Sequence, residues 1–208
     1  MLTFDIEKLN WVKMNNLIPA IIQDKSTGKV LMLGYMDQES LTKTLSTNLV
    51  TFYSRSKQRL WTKGETSGNY LHLCDLTYDC DKDSLLLLVN PEGQTCHKDK
   101  DSCFDTAIST DWEIVKKLET IIVNRINTTP ENSYTAQLVS QGIDKVAQKV
   151  GEEAVEVVIA ALSDNKKALT DELADLFFHL LVLVQAKGLS ISDVLNELRT
   201  RSKSSINA

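Results

Sequence analysis

The sequence predicts an α+β fold in two parts, a small β-rich N-terminal domain followed by an all-α helical bundle. Three observations predict it. Apolar residues alternate with period two, or run unbroken for strand length, up to about residue 105, and recur with a period near 3.6 beyond it. Turn residues such as Asp24, Gly28, Pro91 and Gly93 cut the first half into short pieces, whereas the second half carries long amphipathic stretches. The length of 208 residues suits two domains. The boundary is placed between residues 107 and 108.

In chain order, residues 17–23 and 29–36 read as strands joined by a hairpin turn at 24–28. Asp37 caps a short helix whose Leu41 and Leu45 share a face. Residues 50–54 are β-branched and aromatic, as a strand requires. Residues 70–76 alternate, with Leu71 and Leu73 on one face and His72 and Cys74 on the other. Residues 85–89 are continuously apolar, the pattern of a strand buried on both faces. Beyond the boundary, residues 112–126 carry a helical stripe, and 128–133 form a loop. Residues 134–162 are helical with an interruption near Gly142, and 166–186 form a helix that stops at Gly188. Ser190 and Asp193 open a last helix with a capping pattern.

With 42% hydrophobic and 25% charged residues, the composition is that of an ordinary soluble globular protein. A net charge of -5 without a dense Lys/Arg block argues against nucleic acid or an anionic membrane as partner. No leader is expected at the N-terminus, and no apolar run reaches the roughly 18 residues of a membrane helix. The expected compartment is the cytoplasm, where thiols stay reduced. The four cysteines then read as ligands or core thiols and not as disulfides.

Cys80, Cys96 and Cys103 follow the spacing C-x15-C-x6-C, unlike the paired C-x2-C of zinc ribbons. Three thiolates without a fourth protein ligand leave one coordination position open, as in catalytic zinc sites; the alternative is three core thiols. His97, beside Cys96, is either a fourth ligand or a proton shuttle. Cys74 reads as a core thiol. If residues 79–83 are extended, Asp79, Asp81 and Asp83 share one strand face and Cys80 the other. Three carboxylates on one face repel unless a cation sits among them; the alternative is a solvated acidic turn. Residues 53–68 read as a polar loop in which Arg55, Arg59, Lys63 and Ser67, with two glycines, suit a phosphate, and Trp61 suits stacking on a base.

In the second half, Glu152, Glu153 and Glu156 lie on one helix edge, and Glu172 and Asp175 are three apart on the next helix. If the two helices pair, the carboxylates meet and call for Mg2+, which works mostly on phosphates; otherwise they are solvated faces. The apolar residues between them, such as Val155, Val158, Leu173 and Phe177, predict burial and so weigh against plain solvation.

Met32-Leu-Gly-Tyr-Met36, Phe52-Tyr-Ser-Arg55, Leu60-Trp-Thr-Lys-Gly-Glu-Thr-Ser-Gly-Asn69, Asp79-Cys-Asp-Lys-Asp83, Thr95-Cys-His97 and Ser102-Cys-Phe104 resemble the phosphoribosyl-AMP cyclohydrolase family. Tyr134-Thr-Ala-Gln-Leu138, Lys149-Val-Gly-Glu-Glu-Ala-Val-Glu156 and Glu172-Leu-Ala-Asp-Leu-Phe-Phe-His179 resemble the phosphoribosyl-ATP pyrophosphohydrolases, all-α enzymes of the EExxE type. The whole chain resembles the bifunctional enzymes of histidine biosynthesis. That resemblance implies Zn2+ on Cys80, Cys96 and Cys103, and Mg2+ on Asp79, Asp81 and Asp83. It also implies a homodimer whose zinc site draws cysteines from both subunits. For the second half it implies Mg2+ on Glu152, Glu153, Glu156, Glu172 and Asp175, one of them a general base (Glu153 is the candidate), with Lys145 and Lys149 against the phosphates. The implied chemistry is removal of pyrophosphate from phosphoribosyl-ATP, then opening of the adenine ring between N1 and C6 by zinc-activated water. His97, or else His72, would handle the proton. Two other readings stay open: a zinc base deaminase fused to a housecleaning pyrophosphohydrolase, weakened by the missing H-x-E and P-C-x-x-C signature, and a non-enzymatic module in which metals support folding.

Overall fold

The computed structural model describes residues 4–104, 111–127, 131 and 133–206, the last four and Asp111 by backbone only. The chain divides into two compact units, Met1–Glu113 and Ile114–Ala208. The boundary expected at 107/108 and most of the loop expected at 128–133 lie outside the described residues.

In the first unit, β1 (Ile18–Asp24) and β2 (Val30–Met36) form the expected antiparallel hairpin. Its turn is closed by Gly28 at φ 70° and by the Asp24 carboxylate accepting from the Ser26 N–H at 2.7 Å. Helix α1 (Gln38–Thr47) starts in a full capping box between Asp37 and Ser40. Then follow β3 (Thr51–Ser54), β4 (Arg59–Thr62), β5 (Leu71–Tyr78) and β6 (Leu85–Pro91). The main sheet has the order β2-β1-β6-β5, with β1 and β6 parallel and the other pairs antiparallel.

Two expectations need correction here. Residues 53–68 are not all loop, because 59–62 pair with β3 as the hairpin strand β4. The alternation of Leu60 and Thr62 with Arg59 and Trp61 is too short to stand out in sequence, and cross-strand contacts decide it. Strand β6 is not buried on both faces either. Leu85, Leu87 and Val89 are in the core, while Leu86 and Leu88 on the other face are half-buried, because among the described residues the core packs against the first face.

The core joins Ile18, Ala20, Ile22, Leu31, Met36, Leu41, Val50, Phe52, Leu71 and Leu73 to the inward residues of β6. Phe52 passes directly over Gly34, where an added Cβ would lie 2.3 Å from the ring. Gly34→Ala is therefore expected to destabilise the chain by roughly 1–3 kcal/mol. Because Phe52 stacks on Trp61 at 5.7 Å, the wall that Trp61 forms shifts as well. Urea denaturation of the variant measures the loss.

The second unit is helical: α2 (Asp111–Ile126), α3 (Tyr134–Ser140), α4 (Ile143–Ala161), α5 (Lys166–Ala186) and α6 (Ile191–Ile206). The break before α4 is Gly142 at φ 97°, and α5 is capped by the Asn165 side-chain Oδ1, which accepts from the Lys167 and Ala168 N–H groups. Its core gathers Ile122, Leu138, Val146, Leu181 and Val182. The buried Glu119 carboxylate accepts from the Gln185 amide at 2.9 Å and from the Ile191 N–H at 2.8 Å, which ties α2 to α5 and to the first turn of α6. Val155, Val158, Leu173 and Phe177, expected to be buried, are 58%, 61%, 47% and 38% exposed. Among the described residues no single helix is long and apolar enough to cross a membrane.

Candidate active sites

The first unit contains a cavity of about 530 Å³. Trp61 at the end of β4, the loop residues Lys63, Ser67 and Asn69, and Cys96, His97 and Cys103 line it. The local backbone explains how they meet. The Cys96 N–H donates to the Lys100 carbonyl at 2.9 Å, closing a tight turn with Asp99 at φ 54°. The Cys103 N–H donates to the Leu31 carbonyl at 2.7 Å, and the Ser102 hydroxyl donates to that of Val30 at 2.8 Å, so the second thiol is pinned to β2. Gly64, at φ 95° and with the backbone of Asn69 2.7 Å from where a Cβ would stand, lets the 62–70 loop fold back on itself.

Burial and then the neighbouring Cys96 push the Cys103 thiol up, while Lys63 opposes them. Lys63 is buried, donates to the Asn69 carbonyl at 3.3 Å and has its own pKa pulled down by burial. A buried ammonium with one neutral acceptor favours negative charge nearby, and paired thiolates supply it. Two thiols and an imidazole are donors that fit a zinc ion, and the Lys63 ammonium favours the thiolate form of Cys103.

Asp79, Asp81 and Asp83 also meet, with oxygens within 4.8 Å of one another. They do so through a turn and not through strand alternation, which corrects the expectation of an extended segment. Lys82 takes φ 64°, and the Asp79 carboxylate accepts from the Asp83 N–H at 3.0 Å and the Ser84 N–H at 3.1 Å. β5 and β6 are antiparallel, so the short connection between them must reverse. Cys80 is exposed in the same turn and is not among the residues lining the cavity.

In the second unit, Glu153 and Glu156 of α4 meet Glu172 of α5, again with oxygens within 4.8 Å. Glu153 is buried, and Lys149 pairs with it at 2.7 Å and with Glu152 at 3.3 Å. Desolvation and then the charge of Glu156 raise the pKa of Glu172, with Asp175 and Glu153 adding to it. Hard oxygen donors in this arrangement fit Mg2+. Because Glu172 is charged only above its raised pKa, Glu172→Gln is expected to stabilise the metal-free chain at neutral pH. That gain fades as pH falls through the raised pKa, where the wild type takes up a proton and loses the same repulsion. Urea denaturation in chelator at several pH values checks this.

The phosphoribosyl-AMP cyclohydrolase family model matches residues 32–105 and the phosphoribosyl-ATP pyrophosphohydrolase model matches 115–202. The histidine biosynthesis bifunctional protein HisIE of Pasteurella multocida is 52% identical over 197 residues, which are 93% of this chain and 98% of that protein. Those of Photobacterium profundum and Escherichia coli are 51% identical, over 94% and 93% of this chain and 97% and 95% of theirs. The chain belongs to this bifunctional histidine-biosynthesis family. It is a bifunctional hydrolase with a cyclohydrolase domain first and a pyrophosphohydrolase domain second.

Within the cyclohydrolase unit the expected residues divide. Trp61, Lys63, Ser67, Cys96, His97 and Cys103 line the cavity. Arg55 instead lies over the Tyr35 ring at 3.8 Å, Arg59 pairs with Glu65 at 2.7 Å, and His72 pairs with Glu92 at 3.1 Å. In the pyrophosphohydrolase unit, Glu152 is held by Gln148 and Lys149, and Lys145 donates to Gln148 at 3.1 Å. Asp175 lies outside the group of three, and its backbone carbonyl accepts from His179 Nδ1 at 2.9 Å. His179 Nε2 meets the Tyr134 hydroxyl at 3.0 Å, and Nδ1 is 3.7 Å from Glu153. Sequence reasoning assigned no role to Lys13, Tyr134 or His179. The sequence signals are that Tyr134 and His179 stand at the ends of two motifs that carry the pyrophosphohydrolase resemblance, and that His179 lies one turn after Asp175 on an otherwise apolar stretch.

Proposed function

We propose that the C-terminal unit hydrolyses phosphoribosyl-ATP to phosphoribosyl-AMP and pyrophosphate, and that the N-terminal unit then opens the adenine ring of phosphoribosyl-AMP between N1 and C6. The observation that carries this reading is the cavity that gathers Cys96, Cys103, His97, Lys63 and Trp61. It combines soft metal ligands, an imidazole, a cation and an aromatic plane in a volume typical of small-molecule sites.

Cys96 and Cys103, with Cys80, would hold zinc; Asp79, Asp81 and Asp83 would hold Mg2+, as would the Glu153, Glu156 and Glu172 group with Glu152 and Asp175 at its edge. Bound zinc supplies Lewis acidity at the purine, and bound magnesium supplies it at the phosphate chain. Trp61 offers its ring to the adenine. Ser67 takes the phosphate, a role that suits it better than Arg55 and Arg59, which are engaged elsewhere. His97 delivers the proton to N1 as the N1–C6 bond breaks, and it is favoured over His72 because it lines the cavity. In the second unit Lys149 and Lys145 balance phosphate charge, and Glu153 accepts the proton of the attacking water.

The active form is proposed to be a homodimer. Cys80 lies in the β5–β6 turn and is not among the cavity residues, which supports a zinc site completed by a second subunit. Val155, Val158 and Ile159 on α4, Leu162 just after it, and Leu173 and Phe177 on α5 are exposed, and apolar side chains bare on neighbouring helices suit burial against a second subunit. The cytoplasm, where thiols stay reduced, suits free cysteine ligands.

Phosphoribosyl-ATP given to the chain with Zn2+ and Mg2+ is expected to yield pyrophosphate and transient phosphoribosyl-AMP, then the ring-opened product, as resolved by chromatography. Release of single phosphates, or of ammonia from a deamination, would overturn the reading.

A further inference from the structure

Each group of three carboxylates has a lysine ammonium paired with at least one of its members. Lys13 Nζ pairs with both Asp81 and Asp83. Lys149 Nζ pairs with Glu153 at 2.7 Å and Glu152 at 3.3 Å. The two arrangements arise independently. Lys149 is one helical turn before Glu153 on α4, whereas Lys13 reaches the acidic turn from a segment 68 residues away in sequence.

The segment that carries Lys13 is firmly placed. The Asn10 N–H donates to the Lys82 carbonyl of the acidic turn at 2.8 Å, Trp11 is buried with its indole N–H donating to the Ile6 carbonyl at 3.0 Å, and Asn15 and Asn16 adopt φ 50° and 63°. The backbone is thus set, and the flexible stem of Lys13 is what can withdraw.

We propose that Lys13 and Lys149 are built-in counter-cations of the two carboxylate groups: each ammonium sits on oxygens that a divalent cation must take, so metal entry displaces it and frees it for the nucleotide's phosphate oxygens. This rests on reading the two groups as Mg2+ sites. Three carboxylate oxygens within 4.8 Å repel one another strongly when empty, and a tethered ammonium relieves that repulsion. A divalent cation does so better, but only after breaking the ion pairs. Phosphate supplies the displaced ammonium with a new partner, so metal and nucleotide favour each other's binding, and the linkage is reciprocal.

The test titrates Mn2+ alone, followed by the resonance of the free ion, into the full zinc-loaded chain. Lys149→Met is expected to tighten one class of Mn2+ sites about tenfold, the order expected for removing one partly shielded charge-assisted hydrogen bond. Lys13→Met, at a half-exposed position, is expected to tighten the other class about threefold. Lys149→Arg and Lys13→Arg, which restore the cation, should bind as the wild type does. Lys167, paired with Asp171, and Lys82, in the acidic turn, are not seated on the two groups, so Lys167→Met and Lys82→Met should change affinity little. Adding inorganic pyrophosphate should tighten Mn2+ binding more in the wild type than in Lys149→Met. Unchanged or weaker Mn2+ binding in the Met variants of Lys13 and Lys149 overturns the proposal, as does equal tightening in the Lys167 and Lys82 controls. If Glu153→Gln and Asp83→Asn leave Mn2+ binding intact, the metal-site reading itself fails, a different result from failure of the lysine exchange.

Discussion

In a chain carrying Glu153→Ala, phosphoribosyl-ATP is expected to remain unused, with kcat/KM lowered on the order of a thousandfold. Metal-assisted stabilisation of the charge that develops on a phosphoryl group is worth several kcal/mol, and about 4 kcal/mol corresponds to that factor. Glu153 is the buried member of its group, and it is also the partner of Lys149 and the neighbour of His179. The substitution therefore removes an oxygen proposed to face the metal and unseats the groups arranged around it. Glu153→Gln, which keeps the shape, should show the same loss of activity with less loss of stability. Supplied phosphoribosyl-AMP should still be converted by either variant, because the thiols and His97 belong to the other unit. Product chromatography with each substrate in turn measures both effects. Conversion of phosphoribosyl-ATP together with failure on phosphoribosyl-AMP would reverse the assignment of the two units.

Cys103→Ala is expected to give the mirror image. Phosphoribosyl-ATP is consumed, phosphoribosyl-AMP accumulates, and ring opening falls on the order of a thousandfold for the same energetic reason. The fold should tolerate the change. The contact that positions this residue is its backbone N–H on the Leu31 carbonyl, which alanine keeps, and the residue is exposed in the single chain. Zinc content measured on the purified chain should fall together with activity. A variant that kept both its zinc and its ring-opening activity would remove Cys103 from the metal site. The two variants are also expected to complement each other when mixed, since one releases the nucleotide that the other consumes.

How much of this was readable in the chain varies from residue to residue. The hairpin at 18–36, the Asp37 cap, the break at Gly142 and the long helices up to Gly188 follow from local rules: turn glycines, capping side chains and hydrophobic period. The motifs carrying Cys96, Cys103, Glu153 and Glu172 are just as local, and their resemblance to two enzyme families was plain. Strand β4 was missed because four residues carry too little pattern, and its existence depends on pairing with β3. The acidic segment illustrates a second kind of limit. Alternation of Asp79, Asp81 and Asp83 suggested one face of a strand, yet the same three carboxylates converge through a turn. The conclusion that they meet survives, while the geometry behind it changes.

By itself, then, the sequence determined the order of the two domains, the helices and most strands, and which residue types carry the chemistry, because all of these are encoded within a few neighbouring positions. Only the tertiary structure decided which members of each set meet. It brought Glu172 of α5 to Glu153 and Glu156 of α4, placed Lys63 beside two thiols and left Arg55, Arg59 and His72 with other partners. It also seated Lys13 on an acidic turn far along the chain and linked Tyr134 to His179. The physical reason is that ion pairs, like-charge repulsion and burial depend on distances through space, and those distances are set only when strands pair and helices pack.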